Sequence, residues 1–290
     1  AATPDPLWSR GLGDVYKRQD YMSVDQNFLA PIMSNPENVY YLGPNAYGKP
    51  AAALNILRET IMGKELFDYA FKTYSQRWMF KHPTPEDFFR TMEDASAVDL
   101  DWFWRGWFYS TDFVDIGLKE VNQYFVSPDP GEEMLKIMEE QGVPRNRLRP
   151  LIFFEKNEND KGNLKENSAI DNSKLLGNYL KENYSQEELD VIDVPKYYYE
   201  VVFNKPGGLV MPIIIDIKYE DGETVRKKYP AQVWRKNDSE VRKILTSNKK
   251  IIEIVLDPDK ETADIDERNN SWPKKEDQTD FDKFKSNVRG

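Results

Sequence analysis

The sequence predicts an α+β protein of more than one domain, with helices in its first half and antiparallel strands in its second. Residues 47–110 carry apolar side chains at helical spacing, and residues 195–272 alternate at strand spacing between turn signals. Between them, residues 127–194 are polar and rich in Pro, Asn, Lys and Glu. The expected divisions are 1–19 (leader), 20–126 (helical), 127–194 (linker with a short helix and a strand), 195–272 (β-sandwich) and 273–290 (charged tail).

The leader, ending Trp8-Ser9-Arg10-Gly11-Leu12-Gly13-Asp14-Val15-Tyr16-Lys17-Arg18-Gln19, has neither periodicity nor the apolar core of a signal peptide. It resembles read-through of sequencing-adapter DNA, so native sequence is expected to begin near Asp20.

The helical elements follow. Pro50 suits a first helical turn, where its missing N–H costs nothing. Ala53, Leu54, Leu57 and Ile61 then recur on one face, and Gly63 offers a left-handed stop. Phe67, Ala70, Phe71, Tyr74 and Trp78 make the stripe of the next helix. Thr84-Pro85-Glu86-Asp87 reads as N-cap, proline at N1 and acids in the first turn, ahead of Phe88, Phe89, Met92 and Ala95. A fourth helix holds Trp102, Phe103, Trp104, Trp107 and Phe108; aromatics nearly all round a helix read as core, although a ligand box is the rival reading.

In the linker, a helix near Glu132–Gln141 and a strand at Leu151–Phe154 interrupt an exposed loop around Asn157–Asn172. The β region offers strands at Tyr197–Phe203, Leu209–Tyr219, Thr224–Trp234 and Ile251–Leu256. Pro206-Gly207-Gly208 marks a turn, and Asp221-Gly222 marks a hairpin.

Composition narrows the chemistry. A net charge of -10 argues against nucleic acid or an anionic membrane surface as the main partner. No apolar run is long enough to span a bilayer. The absence of cysteine excludes disulfides, thiolate metal sites and cysteine nucleophiles. With one histidine, His82, the chain cannot form an H-E-x-x-H zinc site, which needs two imidazoles one helical turn apart. His82 lies between Lys81 and Pro83 ahead of a helix, and reads as solvated or capping. The acidic run Asp257, Asp259, Glu261, Asp264, Asp266, Glu267 lacks the spacing and glycine of a calcium loop, and reads as a solvated loop.

At Asn45-Ala46-Tyr47-Gly48-Lys49-Pro50-Ala51-Ala52-Ala53-Leu54 the sequence resembles the aminopeptidase N-like zinc metallopeptidases (gluzincins). The likeness continues through Gly63, Leu66-Phe67, Tyr74 and Pro83–Phe89 to Asp99-Leu100-Asp101-Trp102-Phe103-Trp104-Arg105-Gly106-Trp107. The region ending Thr262-Ala263-Asp264-Ile265-Asp266-Glu267-Arg268-Asn269-Asn270 looks like the small sandwich behind the catalytic domain of bacterial members. The resemblance implies the helical lower half of a thermolysin-like catalytic domain followed by a small antiparallel β-sandwich. It implies a parent aminopeptidase that binds zinc and a peptide substrate through a half encoded upstream, with export suggested by the bacterial relatives. This chain alone is then expected to be inactive and to bind no metal. Tyr47 matches the family's tyrosine and would stabilise the oxyanion, although Pro50 replaces the usual glycine after the lysine. Tyr40 and Tyr41 are rivals, and Tyr47 packing at a helix entrance is the plainer alternative. Arg105 is a candidate for gripping a substrate carboxylate, against an ordinary ion pair with Asp99 or Asp101. The reading from a different class is a non-catalytic interaction or assembly module.

Overall fold

The computed structural model describes residues 28–127, 132–142, 153–156, 172–189 and 195–274. The expected leader (1–19), the body of the 157–172 loop and most of the charged tail lie outside the described residues.

Helix α1 (Lys49–Ile56) is flanked by two π-turns, Pro44–Gly48 before it and Leu57–Ile61 after it. Pro50 therefore does not open the helix, because the chain is already helical at Gly43 and Gly48. Its ring would crowd the carbonyl four residues back, and the wider turn, closed from Lys49 N–H to the Pro44 carbonyl, relieves that crowding. Gly63, at φ 84°, breaks the chain before α2 (Lys64–Trp78). Helix α3 (Pro85–Ser96) starts at Thr84, whose N–H donates to Asp87 Oδ2 at 2.9 Å, and ends at left-handed Ala97. Helix α4 (Asp101–Tyr109) buries Phe103, Trp104, Trp107 and Phe108, so its aromatics are core. Trp104 stacks on Phe89 of α3 at 4.6 Å, and Trp78 Nε1 of α2 donates to Thr91 Oγ1 at 3.1 Å.

The chain passes from α4 through buried Val114 and Ile116 into strand β1 (Gly117–Ser127), where the sequence pattern gave no element. Then come α5 (Glu132–Glu140), β2 (Phe153–Lys156), α6 (Asn172–Asn183) and α7 (Gln186–Leu189). Strands β3 (Tyr197–Asn204), β4 (Ile213–Tyr219), β5 (Thr224–Tyr229), β6 (Glu240–Ser247), β7 (Ile251–Leu256) and β8 (Ser271–Trp272) complete the described fold. Pro230 ends β5 earlier than expected, and residues Ala231–Arg235 form a 3₁₀ turn that buries Trp234.

The strands make two four-stranded antiparallel sheets, ordered β2-β1-β3-β6 and β5-β4-β7-β8. The Asp221-Gly222 hairpin forms as expected, pairing Lys218 with Thr224 around Gly222 at φ 87°. Tyr199, Val201 and Phe203 of one sheet share a core with Ile213, Ile215, Ile217, Ile254 and Leu256 of the other. Ile251 N–H crosses between the sheets to donate to Tyr199 Oη at 3.1 Å. The same continuous cluster takes in Ala53, Leu57, Met92, Phe103 and Trp107 from the helices. The fold is α+β, a helical part on a small β-sandwich. Thr60 Oγ1 donates to the Glu261 carbonyl at 3.2 Å and Arg235 pairs with Asp99 at 2.7 Å, fastening one part to the other.

Candidate functional site

Tyr47 lies in the π-turn that leads into α1, and its neighbours on the turn hold it from both sides. Asn45 is buried, and its Nδ2 donates to the Pro31 carbonyl at 3.4 Å. The segment around Pro31 rests on α4 through Met33 N–H, which donates to the Phe108 carbonyl at 3.1 Å. Lys49 is fully buried, and its Nζ donates to the Ser110 carbonyl at 2.7 Å, just beyond the end of α4. Tyr47 itself is 75% exposed. A turn pinned at both ends to the end of one helix thus presents a phenol outward. The rivals stand elsewhere: Tyr40 is exposed and packs its ring 5.7 Å from Phe28, while Tyr41 meets the same ring at 6.5 Å.

Burial pushes the Lys49 ammonium down to about 8, and the carboxylate of Asp112 opposes that push only in part. A buried lysine in the stretch running into Ala51-Ala52-Ala53 is a feature that the sequence showed and the motif reading left without a role.

Arg105 is exposed on α4, more than one turn before Ser110. It borders an open cleft of about 560 Å³ between α3 and α4, together with Glu86, Arg90, Glu93, Trp104 and Tyr109. Asp99, one of its expected partners, is held by Arg235 instead. Among the described residues Arg105 forms no ion pair. Glu93 Oε1 accepts from Leu100 N–H at 2.7 Å, and burial pushes its carboxyl up against that bond.

One of the solved structures that match the chain is remote from it in sequence. This is the crystal structure of Legionella pneumophila aminopeptidase A in complex with aspartic acid, matched at a TM-score of 0.42 and 10% identity. The match covers 88% of this chain and 23% of that one, so the present chain spans about a quarter of that protein's length. No family model and no curated relative matches the sequence.

Among the described residues no group of three or more His, Cys, Asp or Glu side chains could hold a metal ion. His82 is exposed in the loop before α3.

The acidic run differs from the solvated loop expected of it. Asp257 is buried and caps the loop, accepting from Glu261 N–H at 2.7 Å, Thr262 N–H at 3.0 Å and Thr262 Oγ1 at 2.6 Å. Asp264 is 2% exposed, and burial pushes its carboxyl up to about 7 although Asn270 and two backbone N–H groups donate to it. Asp259 and Asp266 remain outside, paired with Arg226 and Arg268. Sequence reading took all six acids as equivalent. Burial separates them, and the signal available was the apolar and small company of Thr262, Ala263 and Ile265.

Proposed function

We propose that this chain is the helical and β-sandwich part of a zinc-dependent peptidase, of aminopeptidase type, whose metal-bearing half is encoded upstream. The observation that carries this reading is the outward phenol of Tyr47 on a turn anchored by buried Asn45 and Lys49, in the motif that resembles the gluzincins. A peptide substrate passes through a tetrahedral state with negative charge on the former carbonyl oxygen. A phenol O–H held in place donates to that oxygen without reorganising, and one such donor is worth about 3 kcal/mol, or about a hundredfold in rate. Zinc would supply Lewis-acid activation of the attacking water. Its ligands belong to the upstream half, and the step given to this chain is hydrogen-bond donation by Tyr47. Arg105 and the cleft beside it are the second element of the reading, as a contact for a substrate carboxylate.

The test uses the complete gene product and aminoacyl-anilide substrates. Tyr47→Phe is expected to lower kcat about a hundredfold with KM nearly unchanged, and the present chain alone is expected to show no chelator-sensitive turnover. Full activity in Tyr47→Phe would remove the catalytic role. An upstream sequence without H-E-x-x-H would leave the non-catalytic module as the reading.

A further inference from the structure

The turn that carries Tyr47 is braced against a segment that the β-sandwich itself holds in place. Asn45 and Lys49 stand four residues apart and are buried on one side of the turn, and Tyr47 lies midway between them on the exposed side. Lys49 Nζ donates to the Ser110 carbonyl at 2.7 Å, just past the end of α4. From Ser110 the chain runs as a strap into β1. Ser110 Oγ donates to the Gly106 carbonyl at 2.8 Å and accepts from Asp112 N–H at 3.2 Å. Phe113 N–H then donates to the Gly207 carbonyl at 3.0 Å, and Leu209 N–H donates to the Phe113 carbonyl at 3.2 Å. These bonds make a parallel bridge between the strap and the turn that joins β3 to β4. The close approach needs glycine. A methyl on Gly207 would strike the Phe113 carbonyl, and one on Gly208, at φ 89°, would stand 2.7 Å from Asp112 Cγ. Lys205 closes the turn by donating to the Gly208 carbonyl.

Lys49 is fully buried, and burial lowers its ammonium to about 8, so its charge is held at a cost. An apolar side chain of similar volume would fill the same space without that cost. Stability alone therefore does not account for a lysine here. What its long donor adds is a fixed distance between the turn and the strap. A side chain reaches about 6 Å from its helix axis, so a rotation of about 10° carries its tip about 1 Å. A shift of that size is worth about a hundredfold in rate for a group aimed at a reacting atom.

We propose that Lys49 is a positioning residue for the Tyr47 phenol, and that the sandwich turn at Gly207 and Gly208 holds the strap against which Lys49 works. The catalytic consequence rests on the peptidase reading, whereas the brace is a property of this chain alone. On this account the sandwich has a part in the active site without touching substrate.

The experiment has one arm for each. In the chain itself, hydrogen exchange of the amides of residues 45–49 is compared between wild type and Lys49→Met. The Lys49 N–H that closes the turn onto the Pro44 carbonyl is among them. Exchange there should be at least tenfold faster in the variant, with the amides of α2 within twofold. Gly208→Ala should loosen the same amides from the sandwich side. In the complete gene product, Lys49→Met should lower kcat at least tenfold with KM within twofold, but change it less than twofold when Tyr47 is already Phe. Asn45→Ala, read in the same way, serves should Lys49→Met not fold. Tyr199→Phe, which removes a bond between the sheets, controls for lost stability and should leave turn exchange and kcat within twofold. Unchanged turn exchange in Lys49→Met overturns the proposal whatever the parent protein does, and unchanged exchange in Gly208→Ala overturns the part given to the sandwich. So does an equal fall in kcat with and without the Tyr47 hydroxyl, or an equal fall in Tyr199→Phe, since either makes Lys49 merely structural. Full activity in Tyr47→Phe beside faster exchange in Lys49→Met overturns the peptidase role of the turn and leaves the brace standing, so the two failures read differently.

Discussion

Replacing Lys49 with Met should remove a pH dependence of stability that the wild-type chain carries on its alkaline side. Lys49 is 0% exposed, and burial holds its ammonium at about 8 against an ordinary 10.5. The folded pKa lies below the unfolded one, so between about pH 8 and 10.5 the unfolded chain binds the extra proton. Stability therefore rises with pH through that window, and the cost of the buried charge is carried in full below it. At about 1.4 kcal/mol per pH unit the whole window is worth about 3 kcal/mol. Full burial means that solvent screening takes little from this figure. Met fills much the same volume and has no proton to lose, while a neutral amine can still donate to the Ser110 carbonyl. The measurement is urea unfolding of both proteins by tryptophan fluorescence at intervals from about pH 7.5 to 10.5. Tyrosines that titrate in the range act equally in both chains and cancel in the difference. The wild type should gain about 3 kcal/mol on the variant across the window. Parallel curves, or a wild type that loses ground, would refute the reasoning, because Lys49 would then be reached by water or neutralised by a carboxylate.

Other perturbations follow from single contacts. Tyr199→Phe leaves Ile251 N–H buried without its acceptor and should cost about 1–3 kcal/mol in urea unfolding; a neutral result would mean that the two sheets do not depend on this bond. Gly207→Ala would place a methyl 2.4 Å from the Phe113 carbonyl and 2.6 Å from Asp115 N, so it should destabilise by about 2–4 kcal/mol, whereas Gly222→Ala meets no neighbour and pays only for its positive φ. Arg226→Ala breaks a two-pronged contact with Asp216 and another with Asp259, yet the arginine side chain is 42% exposed. A loss of about 1 kcal/mol or less, shrinking with added salt, is expected in thermal melts.

The helices were legible because their apolar residues recur at one period and their ends carry chemistry. Thr84 and Asp87 cap α3 as the sequence reads, and the aromatics of α4 are core. The π-turn was not legible, since nothing in Pro44–Gly48 marks a ring wider than the α-helical one. Strand β6 escaped for a specific reason. Val241 and Leu245 are its buried residues, a helix-like spacing, because Lys243 lies between them with its Nζ 5.1 Å from the Tyr229 ring centre. Ile244 then sits on the other side, 64% exposed, so apolar and polar residues fall on the wrong faces for an alternation test. Strand β1 escaped because its pairing with β3 shifts between Leu118 and Glu120, and a bulge resets the two-residue period. At the site, the motif named Tyr47 and Lys49, but only three-dimensional packing distinguishes an outward phenol from a sealed ammonium two residues away.

Strand β1 ties the two parts of the molecule together in a way that constrains any attempt to cut them apart. It enters from α4 and lies between β2 and β3, supplying β3 with its partner along Gly117–Tyr124. A fragment beginning at residue 195 would leave the whole flank of β3 unpaired, with Val201 and Phe203 on a strand open to any other chain. A helical fragment ending at residue 116 would in turn lose the sheet on which Val114 and Ile116 are packed. Trimming for crystals or assays should therefore keep residues 113–127 with the sandwich and with the helices alike, which only the undivided chain allows.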